Sequence, residues 1–375
     1  MDRFERGTGI VCEYNPFHKG HAYQIESVKN MGAEFVVCAM SGDFTQRGEP
    51  SFQDKYVRAE NAVRNGADIV LEIPFPFCSL GAEGFAMAGV SILENSGLCS
   101  DIAFGSECAD VSKLIKIADL LDKSFYKSVI QKQKESPSLS YASARETLIS
   151  EKLGKENADI IRNPNDILAV EYIKAMTFLS PIAVKRTTPR GGFDENFASS
   201  SYIRRTFFED GNRNAALGGL PENYSFEKIY DGNGVFYTHL LLSLMQKTPE
   251  YLSEIAEVSG GLEHSIVTNA AMSENYDELC RLLASKTLTD AKIRRMLLFA
   301  FFGVTKKMAK DVPHYTAVLA VSDVGRKMLK KYAGDRRIVV ASRIAEIKKD
   351  KEAKEQYDFA RKAYEVVEKC RKVTL

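Results

Sequence analysis

Residues 9–21, GIVCEYNPFHKGH, place His18 and His21 three positions apart, with Gly20 between them, directly after an apolar run. Three kinds of chemistry are open to such a pair. Two imidazoles can begin a zinc site, but no Cys/His cluster and no H-E-x-x-H spacing offers further ligands, so no metal site is expected. Two histidines can also be satisfied core residues. The third reading is a phosphate grip, in which both rings, about one helical turn apart, face one anion that Gly20 lets the backbone approach. The phosphate reading is favoured: Gly20 stands beside a helix start, and His239, His264 and His314 have no comparable setting.

Such a grip needs elements that position it. Segment 8–14 is a short apolar run with β-branched residues, and 19–32 reads as a helix stopped by Gly32. Segments 34–41, 67–74 and 101–107 read as further strands, with helical patterns at 54–66 and 82–97 between them. Continuous apolar strands alternating with helices predict an α/β fold, a doubly wound Rossmann-like parallel sheet. In 108–133, Val111, Leu114, Ile115, Ala118, Leu121, Phe125 and Val129 form one apolar stripe. A helix at 163–179, a fifth strand at 181–187 and a serine-capped helix start at 199–205 follow. Residues 1–205 are therefore expected to form the nucleotide-binding domain. Residues 206–375 are expected to form a mainly helical domain without a second βαβ rhythm, joined through the turn-rich stretch 210–225. In open α/β sheets ligands bind at the carboxyl ends of the strands, where a helix N-terminus offers free amides to an anion. The histidine pair sits on the first such loop.

At 375 residues, with 45% hydrophobic and 27% charged residues, the chain has the composition of a folded globular protein of two domains. Its longest apolar runs, such as 296–304, are too short to span a bilayer, and a charged N-terminus points to the cytoplasm. Seven widely spaced cysteines without C-x-x-C are expected to be reduced thiols. The net charge of +1 conceals a polarity: residues 1–280 hold 27 Lys and Arg against 39 Asp and Glu, whereas residues 281–375 hold 24 against 11. A final quarter of net +13 suggests a polyanionic partner at that end.

The H-x-G-H string after a first strand resembles the nucleotidylyltransferase superfamily. The wider motifs EYNPFHKGH, MSGDFTQRGEP, DKYVRAENAVRNGADIVLEIP, FGSE and NPNDILAVEYIKA, spread over essentially the whole chain, resemble one family within it, the bacterial tRNA(Met) cytidine acetate ligases. That resemblance implies that ATP and acetate form acetyl-adenylate, and that acetyl passes to the exocyclic amine of the wobble cytidine of elongator tRNA(Met). Catalytic roles would fall on His18 and His21. ATP contacts would fall on Val11, Cys12, Glu13, Tyr14, Asn15, Pro16, Phe17, His18, Lys19, Gly20, His21 and Gln24, and on Gly105, Asn163 and Arg186. Ser201 and Arg204, in a serine-rich helix start, are expected to grip phosphate. Asp43, Gln46 and Arg47 could meet acetate or tRNA. Magnesium is expected with ATP, without a dedicated carboxylate cage. Two departures from the family pattern are Lys19, where asparagine is usual and which adds a possible phosphate contact, and a loose match over 187–198.

The resemblance gives the basic final quarter a reason. Arg294, Arg295, Lys306, Lys307, Arg326, Lys327, Lys330, Lys331, Arg336, Arg337 and Arg343 would follow a tRNA backbone, while the final helix, 351–370, packs through Ala353, Tyr357, Ala360, Tyr364 and Val367. Two alternatives stand beside this reading: a small-molecule adenylyltransferase or pantothenate-synthetase-like ligase, and a non-catalytic RNA-binding protein. The first leaves the basic quarter unexplained, and the second leaves the intact histidines unexplained.

Overall fold

A computed structural model describes residues 6–136, 139–186, 198–208, 217–230, 233–285 and 288–371. Five parallel strands, β1 (Gly7–Cys12), β2 (Val36–Ser41), β3 (Ile69–Ile73), β4 (Cys99–Ser106) and β5 (Ser180–Lys185), are the five that the apolar runs predict. Two more join them, β6 (Tyr315–Val321) and β7 (Val339–Ala341), giving the order β5-β4-β1-β2-β3-β6-β7. β6 runs antiparallel to β3, and β7 runs parallel to β6. Along β2 the side chains alternate between two cores, Val37 and Ala39 on one face and Val36, Cys38 and Met40 on the other. Apolar residues therefore occupy every position of a strand buried on both sides.

Helices α1 (Lys19–Asn30), α2 (Lys55–Arg64) and α9 (Ser200–Phe208) contribute to the second of these cores, through residues such as Ile25, Ala59 and Ile203. The first core holds α3 (Ala82–Asn95), α4 (Val111–Leu120), α5 (Lys123–Glu135), α6 (Tyr141–Leu153), α7 (Lys155–Ile160) and α8 (Pro164–Ala175). It also holds α10 (Gly234–Leu244), α11 (Pro249–Ser253), α12 (Leu262–Met272), α13 (Tyr276–Leu283) and α14 (Asp290–Phe302). The C-terminal helices are α15 (Asp323–Lys331), α16 (Ile344–Ile347) and α17 (Lys351–Cys370), the last stacking Phe359 on Phe75 at 5.8 Å. No described helix is long and apolar enough to cross a membrane.

Two expectations require correction. The apolar stripe of 108–133 belongs to two helices, because Asp122 accepts the Phe125 amide at 2.7 Å and caps a new start immediately after Leu121. The expectation of no second βαβ rhythm after residue 206 also fails: β6, α15 and β7 form one and extend the same sheet. β6 pairs with a strand about 250 residues earlier, so local pattern carries no trace of the partner.

Chain direction along the sheet reverses at β1, whose neighbours are β2 on one side and β4 on the other. The crevice between the carboxyl ends of β1 and β4 is therefore a topological switch point, where ligands of this fold class bind. The C-terminal unit is docked tightly against the opposite end of β3: a Cβ on Gly325 would lie 2.1 Å from the Asp68 carbonyl oxygen. Gly325→Ala is expected to lower the unfolding free energy by about 1–3 kcal/mol, read as a lower urea midpoint.

Candidate functional site

His18 lies outside the first turn of α1 as its N-cap, and its Nδ1 accepts the Gly20 amide at 3.0 Å. The His18 amide in turn donates to His21 Nδ1 at 3.2 Å. The two rings stack with centroids 3.6 Å apart, and Tyr14 packs on His21 at 4.7 Å. Both Nδ1 atoms therefore act as acceptors, which leaves the proton of each neutral ring on Nε2. Burial first, and then the Arg186 charge, pull the His18 pKa down to about 3; burial, His18 and Arg186 also lower that of His21. Among the described residues neither Nε2 has a hydrogen-bond partner, so the pair presents two neutral N–H donors.

Those donors border a cavity of about 320 Å3 and a small annexe of about 30 Å3, which share His21, Gln24, Gly105 and Arg186. Val11, Cys12, Glu13, Tyr14 and Asn15 line the larger space, with Gln46 and Arg47 across it, while His18 and Gly20 line the annexe. Phe85, Phe104, Leu168 and Tyr172 give the cavity an apolar end. One end is thus apolar and aromatic and the other holds N–H donors and guanidinium groups, which suits a ligand with a flat ring and an anionic chain. Arg186 follows β5, with its amide donating to the Ser106 carbonyl; its Nη1 reaches Asn165 Oδ1 at 3.4 Å and its Nε lies 3.8 Å from Glu107 Oε1. A Cβ on Gly105 would meet the Arg186 stem at 3.3 Å, so the glycine lets that side chain lie across the strand end. Arg47 is exposed at the cavity and has no partner among the described residues.

Several expected residues lie elsewhere. Phe17 is fully buried in the core, and the Pro16 carbonyl accepts from Ser200 Oγ at 3.2 Å. Lys19 Nζ donates to the Gly218 carbonyl at 2.8 Å, so the side chain expected near phosphate secures a neighbouring loop. Asn163 Nδ2 donates to Asp166 Oδ2 at 3.0 Å, and its neighbours Pro164 and Asn165 line the cavity in its place. Asp43 accepts from Lys55 Nζ at 2.9 Å; burial works against that lysine charge, and Asp43 and Glu72 outweigh it and raise its pKa. Ser201 and Arg204 line an adjoining cavity, whereas Ser200 lines the first, and Ser199 Oγ accepts the Tyr202 amide.

The basic residues divide as well. Arg294 pairs with Asp290 at 2.9 Å and Glu49 at 3.4 Å, and Arg295 pairs with Glu257 at 2.8 and 2.9 Å, both largely buried. They join α14 to the loop after β2, because Arg295 also reaches the Gln46 carbonyl at 3.5 Å. Arg336 donates to the Leu329 carbonyl at 2.5 Å, and Arg337 lies over Phe178 at 5.2 Å, just before β5. That end of β5 is roughly 20 Å from the end that carries Arg186. Lys306, Lys307, Arg326, Lys327, Lys330, Lys331 and Arg343 are exposed.

Two positioning residues escaped sequence reasoning. Arg58, with no exposed surface, donates from Nε to the Gln53 carbonyl at 3.0 Å, from Nη1 to those of Glu13 at 2.6 Å and Ser41 at 3.1 Å, and from Nη2 to that of Gly42. Asp166, equally buried, accepts from Ser106 Oγ at 2.5 Å and from the amides of Glu107 and Cys108, tying α8 to the end of β4. Arg58 sits one turn after the Asp54 cap, where a helical arginine reads as a solvated charge.

The fold and this cavity define a nucleotide-binding α/β protein of the nucleotidylyltransferase class. The HIGH nucleotidyl transferase family model matches residues 6–374. The chain is 34% identical to the tRNA(Met) cytidine acetate ligase of Caldanaerobacter subterraneus over 361 residues, covering 91% of this chain and 89% of that one. It is likewise 34% identical to the enzyme of that name from Acetivibrio thermocellus, with 86% and 84% covered. The crystal structure of Thermotoga maritima TmcAL bound with alpha-thio ATP superposes with a TM-score of 0.85, at 28% identity over 96% of this chain and 93% of that one. The chain belongs to the tRNA(Met) cytidine acetate ligase family.

Two outcomes follow from the geometry. The side-chain 15N resonances of His18 should keep the neutral Nε2–H pattern at pH 5; a protonated ring there would contradict the burial argument. A folded-state pKa below the unfolded value means this stability is complete above about pH 6.5 and declines as the pH falls toward 3. Arg58→Lys, which cannot reproduce the fork of donors, should cost about 3 kcal/mol in urea unfolding.

Proposed function

We infer that this protein is an ATP-dependent acetate ligase that forms acetyl-adenylate and acetylates the exocyclic amine of the wobble cytidine in elongator tRNA(Met), releasing AMP and pyrophosphate. The observation that carries the reading is a cavity at the switch point, edged together with its annexe by two histidine donors and Arg186, in a chain that aligns over nine-tenths of its length with cytidine acetate ligases. An acetate oxygen attacks the α-phosphorus of ATP, the bond to the bridging oxygen of pyrophosphate breaks, and that oxygen keeps the electron pair. Charge grows on the α-oxygens and on the leaving group. His18 and His21 would meet it with Nε2–H donors and Arg186 with its guanidinium, all held in place beforehand. Arg47, exposed at the cavity, would pair with the acetate carboxylate.

Among the described residues Glu13 is the only carboxylate lining that cavity, and its Oε1 already accepts the Gln46 amide at 2.6 Å. Among the described residues no group of three His, Cys, Asp or Glu could hold a metal ion. Magnesium would enter on the ATP phosphates as part of the substrate.

The exposed residues Lys306, Lys307, Arg326, Lys327 and Arg343 would follow the tRNA backbone, with Arg294 and Arg295 withdrawn from that role by their carboxylate partners. Incubation with ATP, labelled acetate and tRNA(Met) transcript should label the RNA; pyrophosphate release without transfer would favour a small-molecule adenylyltransferase. His18→Ala should reduce acetate-dependent pyrophosphate exchange roughly 10²–10³-fold. Arg326→Glu combined with Lys327→Glu should weaken tRNA binding and flatten its salt dependence by about one log unit per lost phosphate contact, with ATP binding retained.

A further inference from the structure

A second cavity of about 340 Å3 adjoins the first and shares Asn15 with it. Its volume falls in the range of small-ligand pockets, roughly 300–1,000 Å3. α9 is the partition: Ser200 borders the first space, and Ser201, Arg204 and Arg205 border the second. Arg204 is held against the shared wall, with its Nη1 donating to the Asn15 carbonyl at 2.5 Å.

Tyr230, Asn233 and Tyr237 also line this space, and each is braced by a neighbouring group. The Arg371 guanidinium lies 4.2 Å over the Tyr230 ring and donates to Asn233 Oδ1 at 3.2 Å and to the Ser51 carbonyl at 2.5 Å. Tyr237 stacks on Tyr276 at 4.3 Å and 7°, and Arg294 lies over the far ring at 5.5 Å. Among the described residues neither the Tyr230 nor the Tyr237 hydroxyl has a hydrogen-bond partner, although Tyr230 is only 6% exposed. The Asn233 oxygen is occupied by Arg371, which leaves its Nδ2 as a donor.

We propose that this second cavity receives the target nucleobase of the RNA, with Tyr230, Tyr237 and Asn233 reading a pyrimidine edge and Arg204 and Arg205 holding its phosphates. The proposal rests on the acetate-ligase reading. Among these lining residues the Asn233 Nδ2 can only donate, so placed at N3 it complements cytosine and opposes uracil, whose N3 carries hydrogen, while the two phenols, which donate or accept, can meet O2 of the same edge. A base held so that its amine reaches the Asn15 wall would face the activated acetyl group. The amine nitrogen bonds to the acyl carbon and loses one proton to water, and the acyl–oxygen bond breaks with its electron pair staying on AMP.

Tyr230→Phe and Tyr237→Phe keep the rings and remove the hydroxyls. Each should reduce kcat/KM for tRNA(Met) acetylation roughly tenfold, as for one lost hydrogen bond to a bound ligand. Acetate-dependent exchange of labelled pyrophosphate into ATP, which involves no RNA, should stay within twofold of the unmodified protein. Full transfer by both variants overturns the cavity assignment and leaves the ligase reading intact. A loss of exchange equal to the loss of transfer also overturns it, because the cavity would then serve the ATP step. An unmodified protein that exchanges pyrophosphate but never labels tRNA overturns both readings.

Discussion

The site depends on one buried guanidinium. Arg58 accepts the cost of complete burial because its fork of N–H groups meets three backbone carbonyls at the ends of β1 and β2, where two loops leave the sheet and their own ladders stop, and a fourth just before α2. Those carbonyls belong to Gln53, Glu13, Ser41 and Gly42, so a single side chain sets the separation of the loop that carries the histidines from the loop that carries Gln46 and Arg47. Further bonds extend the tie: Glu13 Oε1 accepts the Gln46 amide, and Asn15 Oδ1 accepts the Phe52 amide at 2.6 Å. An ammonium group has the charge but not the fixed planar array, and could not bridge both loops at once.

That rigidity explains how two imidazoles can serve an anion without carrying charge. In the free protein a histidine cation would have to be buried beside Arg186, and burial with like charge makes it costly. Neutral rings whose Nδ1 atoms are satisfied by backbone amides pay no such penalty and still aim an N–H each. Arg186 supplies the full charge from the end of β5, two strands away from β1. The division suits a reaction in which charge moves from ground state to transition state, since fixed dipoles need no reorganisation when it arrives.

Sequence periodicity revealed the five parallel strands because each is buried on both faces, and the location of the site followed from the loop after the first of them. It did not reveal β6 and β7, whose partners are set by a return of the chain to β3. It also misread Arg294 and Arg295: in a basic stretch they resemble exposed charge, and only the folded chain brings Glu49 and Glu257 against them. Lys19 misled for the opposite reason. Its place inside the histidine motif suggested phosphate, yet α1 points its side chain toward Gly218. Motif membership fixes where a backbone runs more reliably than where a long side chain ends.

Pairing within the molecule changes the meaning of the charge polarity. The excess of 24 basic over 11 acidic residues after position 280 counts Arg294 and Arg295, which pair with Glu49 and Glu257 in the acidic part of the chain, so some of the asymmetry is spent joining the two parts. What faces solvent includes α15, the segment around Lys306, Arg343 and the lysines at 348–354. Exposed cations of this kind give affinity for a polyanion without sequence preference. Selection of one base must then come from a confined space with fixed donors, and in this fold such a space lies a single asparagine away from the cavity where the acyl group would be activated. Short separation matters because a mixed anhydride that reaches water is lost to hydrolysis.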